Sequence, residues 1–372
     1  MDDRHHHRTK DRMKFSLTAD ALADAAQFAS KGINPRPPVP ILSGLLIEAQ
    51  TGGLRISGFD YEKSARTQVA ADVTEPGTVL LTARLFTDII RKFGKKTVTV
   101  TVDERTATLT AGSAVFTMAA MPVSEFPPMP DLPPTVGTID GDTFAAAVGQ
   151  IIGAASTDDS GPILKGVHLT SEGNDLTMRT TDRYRLAEVT IPWLPAGDDI
   201  DMLVRGSWLN DTIKTLAGEA QVLADGNLIG IRTGNRATTS IVIDGDYPKI
   251  KALFPKNNHT EITVDRAEFA EILARVSLVA ERNTPVRITT TGDTMVIDAG
   301  TGEDAQGQES LPCKADGTDV VFAVNPGYLA WTISVTPNPE IIFGFQENLA
   351  KPILVTGAPG LQHLIMPVRL PK

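Results

Sequence analysis

Side chains that could catalyse a reaction or bind a metal ion are sparse in this chain, and the densest group is acidic. Asp198, Asp199 and Asp201 follow the turn-forming stretch WLPAG. Clustered carboxylates can bind a divalent cation through their oxygens. Because these three lie in a predicted loop, we interpret them as a solvent-facing acidic turn and not as a cation site.

The histidines do not form a metal site either. His168 and His363 lie in predicted strands, and His259 follows a predicted link between domains. None has the cysteine, histidine or carboxylate spacing of a zinc site. The chain also lacks a Walker loop, a GxSxG elbow and a dinucleotide fingerprint. We therefore predict no catalytic residue, no metal and no cofactor, and a structural role for each histidine.

Composition indicates a multidomain globular protein of a reducing compartment. The chain has 372 residues, of which 41% are hydrophobic, and a formal net charge of −10. No apolar run approaches the ~20 residues of a membrane span, and the charged N-terminus does not resemble a signal peptide. A single cysteine, Cys313, excludes an intrachain disulfide. These features predict a cytoplasmic protein with no membrane partner.

Residues 1–12, MDDRHHHRTKDR, are polar and low in complexity. Their three histidines could suggest a metal site, but we interpret the segment as a disordered leader or tag. The folded protein is predicted to begin at Met13.

Two short patterns recur at a constant spacing. The triplets Glu125-Phe126-Pro127 and Asp246-Tyr247-Pro248 are 121 residues apart. An aspartate closely follows an apolar stretch at Asp60, Asp182 and Asp304, in steps of 122 residues. A fixed period of this kind is the mark of repeated structural units.

Amphipathic helices recur with the same period. A first helix is predicted to begin near Thr18, near Asp140 to Asp142 and near Asp265, since Thr and Asp are suitable N-caps and apolar residues follow at helical spacing. A second helix carries Leu85, Leu209 and Leu329, which are 124 and 120 residues apart. The sequence therefore predicts three similar domains, 13–135, 136–258 and 259–372.

Between the helices the pattern changes to alternation. TVTVTVDERTATLTAG and NLIGIRTGNRATTSIVI each alternate polar and apolar residues around a turn, which is typical of a β-hairpin. Each domain is thus predicted to contain two helices and about eight short strands. The fold class is α+β, with three repeated domains, each of two helices packed on antiparallel sheets.

Six stretches carry a resemblance to a known family: RPPVPILSGLLIEA (36–49), PILKGVHL (162–169), TTDRYRLA (180–187), DGDYPKIKALFP (244–255), KPILVTG (351–357) and LIMPVRL (364–370). In order and spacing, and in the threefold repeat, the chain from Met13 onward resembles the bacterial DNA sliding clamp, the β subunit of DNA polymerase III. The resemblance implies the DNA clamp fold, assembled as a head-to-tail dimeric ring with helices lining the hole.

The resemblance also implies a function that makes and breaks no bond. A clamp of this family is a processivity factor that encircles duplex DNA without sequence preference and tethers polymerase. Its expected partners are a second copy of the chain, DNA, the polymerase III α subunit, the clamp loader, and other polymerases and repair proteins. An acidic exterior agrees with this function, because tight phosphate contacts would slow sliding.

Basic residues on or beside the predicted helices could face DNA. The resemblance implies DNA contacts at Arg36, Arg84 and Arg205. Gly206 stands where better-known members carry a second basic residue, which weakens the contact at Arg205. Further basic residues near the helices are Arg91, Lys92, Lys95, Lys96, Lys214 and Arg275. The alternative is that all of these are ordinary solvated helix faces.

The C-terminal segment is unusually apolar for a chain end. In the family it forms one wall of a pocket for short peptides of roughly QLxLF type. The matching residues here are Leu164, Thr181, Tyr184, Arg185, Leu186, Pro248, Leu253, Leu364, Met366, Pro367, Val368, Arg369 and Leu370. Apolar side chains with an adaptable methionine suit many peptides, and Arg185 and Arg369 could hold polar groups at the rim. The alternative is that the segment is only a core strand.

Two departures from the family's pattern concern this pocket. Arg183-Tyr184 stands where many clamps have Gly-His, so a large aromatic side chain and an extra charge are expected at the pocket's lip. Pro371-Lys372 extends the chain beyond the familiar final leucine.

Four apolar residues match the family's dimer contact: Phe116, Met118, Leu278 and Val279. Two other functional classes remain open at this point. One is a repetitive α+β enzyme with a cleft between domains, against which the lack of an acid–base or nucleophile group argues. The other is a diverged second clamp that serves repair or resistance to a clamp-directed inhibitor.

Overall fold

The computed structural model describes residues 12–158, 161–280, 284–300 and 305–369. Within these residues the chain forms six α-helices and 27 strands, all of the paired strands antiparallel where their register is defined. The predicted α+β class is confirmed. Asp304, one of the repeated aspartates, and Leu370 of the predicted pocket lie outside the described residues, as do residues 1–11, Pro371 and Lys372.

The helices are α1 (Ala19–Ala29), α2 (Ala83–Lys92), α3 (Gly141–Ile151), α4 (Gly206–Ile213), α5 (Arg266–Val276) and α6 (Pro326–Val335). The first predicted domain contains β1 (Arg12–Thr18), β2 (Gly44–Gln50), β3 (Gly53–Phe59), β4 (Lys63–Ala70), β5 (Asp72–Glu75), β6 (Gly77–Thr82), β7 (Thr97–Asp103), β8 (Thr106–Ala111) and β9 (Ala114–Ala119). β1 therefore begins one residue before the predicted start of the fold.

The next segment contains β10 (Thr135–Asp140), β11 (Gly166–Glu172), β12 (Asp175–Thr181), β13 (Arg185–Pro192), β14 (Leu194–Pro195), β15 (Asp201–Arg205), β16 (Glu219–Asp225), β17 (Leu228–Thr233) and β18 (Arg236–Ile241). The last contains β19 (Thr260–Asp265), β20 (Val286–Thr291), β21 (Thr294–Ala299), β22 (Gly307–Pro312), β23 (Lys314–Asp316), β24 (Val321–Val324), β25 (Glu340–Phe345), β26 (Ile353–Ala358) and β27 (Leu361–Ile365). Each third of the described chain thus has two helices and nine strands, one more than the approximate number predicted.

The chain divides into two compact units. The described residues up to Thr138, together with Ala217–Ile241, form the first unit, and Ile139–Leu216 with the described residues from Val242 onward form the second. The middle third therefore contributes strands β16 to β18 to the first unit and its helices to the second. The three-domain boundaries derived from the repeat remain a prediction.

In the first unit, a five-stranded sheet has the order β5-β1-β7-β8-β9, and a larger sheet includes the run β16-β17-β18-β4-β3-β2-β6. α1 and α2 bury their apolar faces against these sheets. Phe15, Leu22, Ile47, Phe86 and Val100 are among the core side chains. The apolar residues of α2 recur at helical spacing, so one face is buried and the other is left to solvent.

In the second unit, a nine-stranded sheet has the order β15-β11-β12-β13-β27-β26-β25-β19-β23, and a four-stranded sheet has the order β22-β21-β20-β24. α5 and α6 pack on the strands of the last third. Phe269, Ile288, Leu329 and Phe343 lie in that core. This sheet matters for function because β13 and β27, far apart in sequence, are neighbours in it.

The predicted hairpins are confirmed. β7 and β8 pair up to Asp103 and Thr106, which leaves a two-residue turn in which Glu104 has φ +53°. β17 and β18 pair up to Thr233 and Arg236 in the same way, with Gly234 at φ +53°. Two-residue turns with positive φ match the right-handed twist of the flanking strands.

Two of the three predicted helix caps form as expected. The Asp140 carboxylate accepts a hydrogen bond from the Thr143 amide and the Asp265 carboxylate accepts one from the Glu268 amide, both at 2.8 Å. Thr18 occupies the cap position of α1, but its side chain makes no capping hydrogen bond within the described chain. Asp20, in the first turn of α1, instead accepts a bond from the Ala21 amide (2.9 Å).

Candidate functional site

The C-terminal segment is first a central strand and then an exposed tail. β27 lies between β13 and β26 and is buried up to Ile365. Beyond it, the Met366 amide donates to the Tyr184 carbonyl at 2.8 Å. The Val368 amide donates to the Ala323 carbonyl at 2.8 Å. The segment is therefore core up to Ile365 and lies at the surface from Met366 to Arg369, and its role as a pocket wall remains a prediction.

An apolar floor forms where β13, β27 and β26 meet. Leu186 lies directly opposite Leu364, and Leu364 lies directly opposite Leu354. These three and Ile250 are buried together, and Tyr247 and Phe254 pack partly buried against them. Ile250 belongs to the short 3-10 helix Ile250–Leu253. Residues from three separated stretches of sequence thus form one cluster, which we call the apolar floor (Leu186, Ile250, Leu354, Leu364).

Four exposed apolar side chains lie close in sequence to floor residues or in the tail beyond β27, and we call them the rim residues: Tyr184, Leu253, Met366 and Val368. Leu253 is 50% exposed, and Met366 and Val368 are each 40% exposed. Tyr184, Leu253 and Met366 each lie within three positions of a floor residue in the sequence. Grouped apolar side chains that stay exposed around a buried floor mark a surface that binds an apolar ligand.

The structure places the remaining predicted pocket residues as follows. Thr181 is buried opposite Leu186, and its hydroxyl donates to the Arg185 carbonyl (2.7 Å). Pro248 is exposed and Pro367 is half-buried. Leu164 is half-buried in the 3-10 helix Pro162–Lys165, and Arg369 is exposed.

Arg185, predicted to lie at the rim, makes several contacts within the described chain. Its Nε donates to the Asp182 carboxylate (2.9 Å). Its guanidinium lies over the rings of Tyr328 and Trp331 of α6, 4.6 and 4.9 Å from their centroids. These contacts engage the guanidinium of Arg185. Of the two predicted rim arginines, Arg369 is the exposed one.

The turn before Arg185 is held by the repeated aspartate. The Asp182 carboxylate accepts hydrogen bonds from the amides of Tyr184 (3.0 Å) and Arg185 (2.9 Å). Arg183 adopts φ +82° in this turn. Tyr184 then stacks on Tyr328, with ring centroids 6.3 Å apart. The departure from Gly-His thus adds an exposed aromatic side chain, Tyr184, stacked on the half-buried Tyr328.

The first unit repeats this turn but not the floor. Asp60 accepts bonds from the amides of Glu62 (3.0 Å) and Lys63 (2.9 Å). Four residues after Asp60, Ser64 faces Thr239, and their hydroxyls are 2.7 Å apart. Leu186 holds the corresponding position after Asp182 and faces Leu364. At this position of the first unit a hydroxyl pair therefore stands where the second unit has the leucine pair of the apolar floor.

His363 is buried on the opposite side of β27 from the floor. Trp331 meets its ring edge-on with centroids 5.4 Å apart. Neither ring nitrogen has a hydrogen-bond partner within the described residues. Burial, with a smaller contribution from the charge of Arg185, lowers the pKa of His363 to about 4. His363 is thus a neutral core residue, in agreement with the structural role predicted for it.

Two carboxylates of the acidic turn (Asp198, Asp199 and Asp201) contact nearby polar side chains. The Asp201 carboxylate lies 2.6 Å from the Nε2 atom of His168, and the Asp199 carboxylate accepts a bond from the Ser171 hydroxyl (3.1 Å). The described residues contain no group of three or more histidine, cysteine or carboxylate side chains arranged to hold a metal ion.

The predicted DNA-contact residues occupy different environments. Arg36 is exposed in the loop after α1, and Arg84 is exposed on α2 together with Arg91 and Lys92. Arg205 is half-buried at the N-cap of α4. Two other basic residues are neutralised, since Lys214 pairs with Asp211 (2.8 Å) and Arg275 pairs with Glu309 (2.8 Å). Lys214 and Arg275 therefore fit the alternative of ordinary solvated helix faces better than a role in contacting DNA.

Two sheets end in edge strands that carry the predicted dimer residues or lie near them. β9 is the edge of the five-stranded sheet and β22 the edge of the four-stranded sheet. Phe116 of β9 is exposed, and Leu278, after α5, is 84% exposed. Met118 is buried in the core of the first unit, and Val279 packs partly buried on the core of the second. Only Phe116 and Leu278 therefore present free apolar side chains.

None of the helices in the described part of the chain combines the length and apolar character needed to cross a membrane.

Known proteins match the chain over nearly its full length. Models of the N-terminal, central and C-terminal domains of the DNA polymerase III beta subunit match residues 13–130, 138–249 and 251–369. The beta sliding clamp of Streptomyces coelicolor is 39% identical, covering 96% of this chain and 100% of that protein. The beta sliding clamp of Micrococcus luteus is 45% identical, covering 81% and 99%. The crystal structure of the Bacillus subtilis DNA polymerase sliding clamp has a TM-score of 0.91 at 25% identity, covering 97% of this chain and 100% of that one.

Proposed function

The chain belongs to the DNA polymerase III β-subunit family, the bacterial sliding clamps, and from this premise we propose that two copies close into a ring around duplex DNA. Its function is that of a sliding clamp in DNA replication, and it is a non-catalytic subunit, as the sequence analysis predicted. The fold of three successive clamp modules is likewise that of the family. The cytoplasm is the proposed compartment.

The single observation that carries the tethering role is the apolar floor with its rim residues. Leu186 and Leu364 meet across β13 and β27, while Leu253, Met366 and Val368, close to floor residues in sequence, remain exposed. A leucine and an aromatic side chain of a partner peptide would bury these surfaces and gain about 1–3 kcal/mol each. Polymerase subunits, the clamp loader and repair proteins would bind here through short apolar motifs.

Contacts with DNA are proposed to be few and directed at phosphates. Arg36 and Arg84 are exposed arginines outside the core, and Arg205 adds a half-buried one. Phosphate contacts position a protein without reading sequence. A small number of them keeps the duplex in the ring without strong, salt-sensitive binding, which would slow sliding.

Topological retention tests this proposal directly. We expect the loaded protein to stay on nicked circular DNA through gel filtration and to be lost once the circle is linearised, because a ring slides off a free end. An ordinary DNA-binding protein would be retained equally on both.

Changing Arg36 and Arg84 to alanine should slow loading and lower the salt slope of DNA association by about two units. Arg287→Ala, at an exposed position of the second unit, should change neither the loading rate nor the salt slope. A strong sequence preference would contradict sliding.

Edge strands support head-to-tail closure of the ring. An open edge presents unpaired backbone groups that another strand can satisfy, and β9 and β22 are such edges in the first and second unit. Phe116 and Leu278 would supply apolar contacts beside them. Met118, being buried, would contribute through the backbone of β9 only.

Replacing Phe116 and Leu278 by aspartate is expected to convert the dimer to monomers, because charges would face an apolar contact. Light scattering of the purified protein measures this directly. Val279 is left unchanged because it packs on the core, where a charge would destabilise the fold. Leu194→Asp, at another exposed leucine (67% exposed), is the control that should remain dimeric. An unchanged mass for the double variant would place the interface elsewhere.

A further inference from the structure

Three arginines project from one face of the larger sheet in the first unit. Arg55 of β3 lies opposite Gln68 of β4, and Arg66 follows on the same face of β4. Arg66 lies opposite Ala237 of β18, which lies opposite Arg232 of β17. Since directly opposed residues share a face, the register brings Arg55, Arg66 and Arg232 together.

These arginines line a cavity of about 200 Å³ that Gln68, Leu132 and Asn235 also line. A neighbouring groove of about 330 Å³ shares Arg55 and Gln68 and continues to the turn between β2 and β3. We call the two together the arginine groove. Its size suits a carboxylate in the cavity and a stretch of extended chain in the groove.

Positive charge in this groove is incompletely compensated. A guanidinium NH2 group of Arg66 donates to the Pro130 carbonyl, but its buried Nε has no acceptor within the described chain. Burial and the charge of Arg55, with a further contribution from Arg232, lower the pKa of Arg66. The nearby carboxylates are Glu48, 3.8 Å from Arg55, and Asp131. Arg236 also lines the cavity and pairs with Asp24, so four guanidinium groups have three carboxylates near them.

The second unit shows how the same position can be neutralised internally. Glu188 lies six residues after Asp182, just as Arg66 lies six residues after Asp60. Glu188 forms an ion pair with Arg179, its direct neighbour on β12, and Arg179 also donates to the Thr170 hydroxyl (3.1 Å). The first unit has Ser57 opposite Arg66 and no such pair. The first unit therefore has an excess positive charge at a position where the second unit has an internal ion pair.

We propose that the arginine groove binds a peptide segment with one or two acidic side chains among neutral residues, with a carboxylate held between Arg66 and Arg232. The planar guanidinium fork matches a carboxylate in two parallel hydrogen bonds. One uncompensated positive charge suits a single carboxylate. A nucleic acid would bring a run of charges toward a chain of net charge −10. This inference does not depend on the apolar floor or on ring closure.

The test follows the arginine Nε–H signals by NMR in full-length protein labelled with ¹⁵N-arginine. The signal of Arg66 is identified by its loss in Arg66→Lys. Adding the peptide acetyl-Ser-Asp-Gly-Glu-Ser-amide should shift this signal saturably. The uncharged peptide with Asn and Gln in place of Asp and Glu should not shift it.

Two double variants test whether the acidic peptide binds at the arginine groove. Arg55→Gln with Arg232→Gln leaves Arg66 in place and should raise the dissociation constant about tenfold or more. Arg287→Gln with Lys314→Gln removes the same charge at exposed positions of the second unit and should leave the dissociation constant of the acidic peptide unchanged. Melting curves verify that each variant is folded, and binding of a QLxLF peptide verifies that the apolar floor is intact.

Several outcomes would overturn the proposal. No shift of the Arg66 signal, an equal shift with the uncharged peptide, or equal weakening in both double variants would each exclude a specific acidic-peptide site. Stronger binding of a thymidine oligonucleotide than of the peptide would assign the groove to nucleic acid. Binding of inorganic phosphate without binding of the peptide would reduce it to a small-anion site.

Discussion

Changing Met366 and Leu253 together to aspartate will weaken binding of a QLxLF-type peptide by roughly a hundredfold. Both side chains are apolar and about half exposed, and each lies two or three positions from a residue of the apolar floor, Leu364 or Ile250. Removing the apolar surface that covers a leucine or aromatic side chain of the peptide costs about 1–2 kcal/mol for each substitution, and the new carboxylates would have to be desolvated on docking. Fluorescence anisotropy with a labelled peptide measures the change.

The choice of residues makes this test specific for the surface. Leu186 is only 4% exposed, so an aspartate there would place a carboxylate inside the fold and confuse weaker binding with lower stability. Leu194→Asp with Val123→Asp adds the same two charges at exposed apolar residues elsewhere and should bind the peptide like the parent. If the Met366 and Leu253 variant also binds like the parent, the peptide site lies elsewhere and β27 with its tail is only structural.

Acidification is expected to destabilise the second unit through His363. Its folded pKa of about 4 lies below the ordinary value of about 6.5. The unfolded chain therefore takes up a proton more readily, so this contribution to stability is complete above pH 6.5 and is lost as the pH falls toward 4. The expected loss is roughly 2 kcal/mol at pH 5 and about 3 kcal/mol at pH 4. Urea unfolding at a series of pH values measures it.

His363→Phe is the matched variant for this prediction. Phenylalanine can keep the edge-on contact with Trp331 and cannot titrate, so the fall in stability between pH 7 and pH 5 should shrink by roughly 2 kcal/mol. The packing is tight here, since a Cβ on Gly153 would lie 2.4 Å from the Trp331 ring. His168→Phe removes a histidine whose Nε2 atom lies 2.6 Å from the Asp201 carboxylate and serves as the control for replacing a histidine elsewhere in the second unit. Identical pH profiles for the parent and His363→Phe would show that His363 does not carry the effect.

The sequence alone determined the features that depend on neighbouring residues. Alternation around Glu104 and Gly234 predicted the hairpins, because a period of two commits one face of a strand to the core. Asp140 and Asp265 predicted two helix starts, because a cap is a contact over three residues. The threefold period and the six quoted stretches were sufficient to predict the family, which the matches to known proteins confirmed.

Only the tertiary structure decided which side chains remain available. The six quoted stretches included Ile250 and Leu354, yet nothing local shows that they join Leu186 and Leu364 beneath the pocket. Likewise, alternation places Phe116 and Met118 on the same side of β9, yet Phe116 is 45% exposed and Met118 only 6%, a difference that distant packing decides.

The sequence also does not show which charged side chains find a partner in the fold. Arg185 and Arg66 are both strand arginines in the sequence, but Arg185 is enclosed by Asp182 and two aromatic rings, whereas the Nε of Arg66 has no acceptor in the described structure. The partners that decide this come from segments far away in sequence, Tyr328 and Trp331 for Arg185 and Pro130 for Arg66. A residue's type and its local pattern determine what it can bind, and the packing of distant elements decides what it does bind.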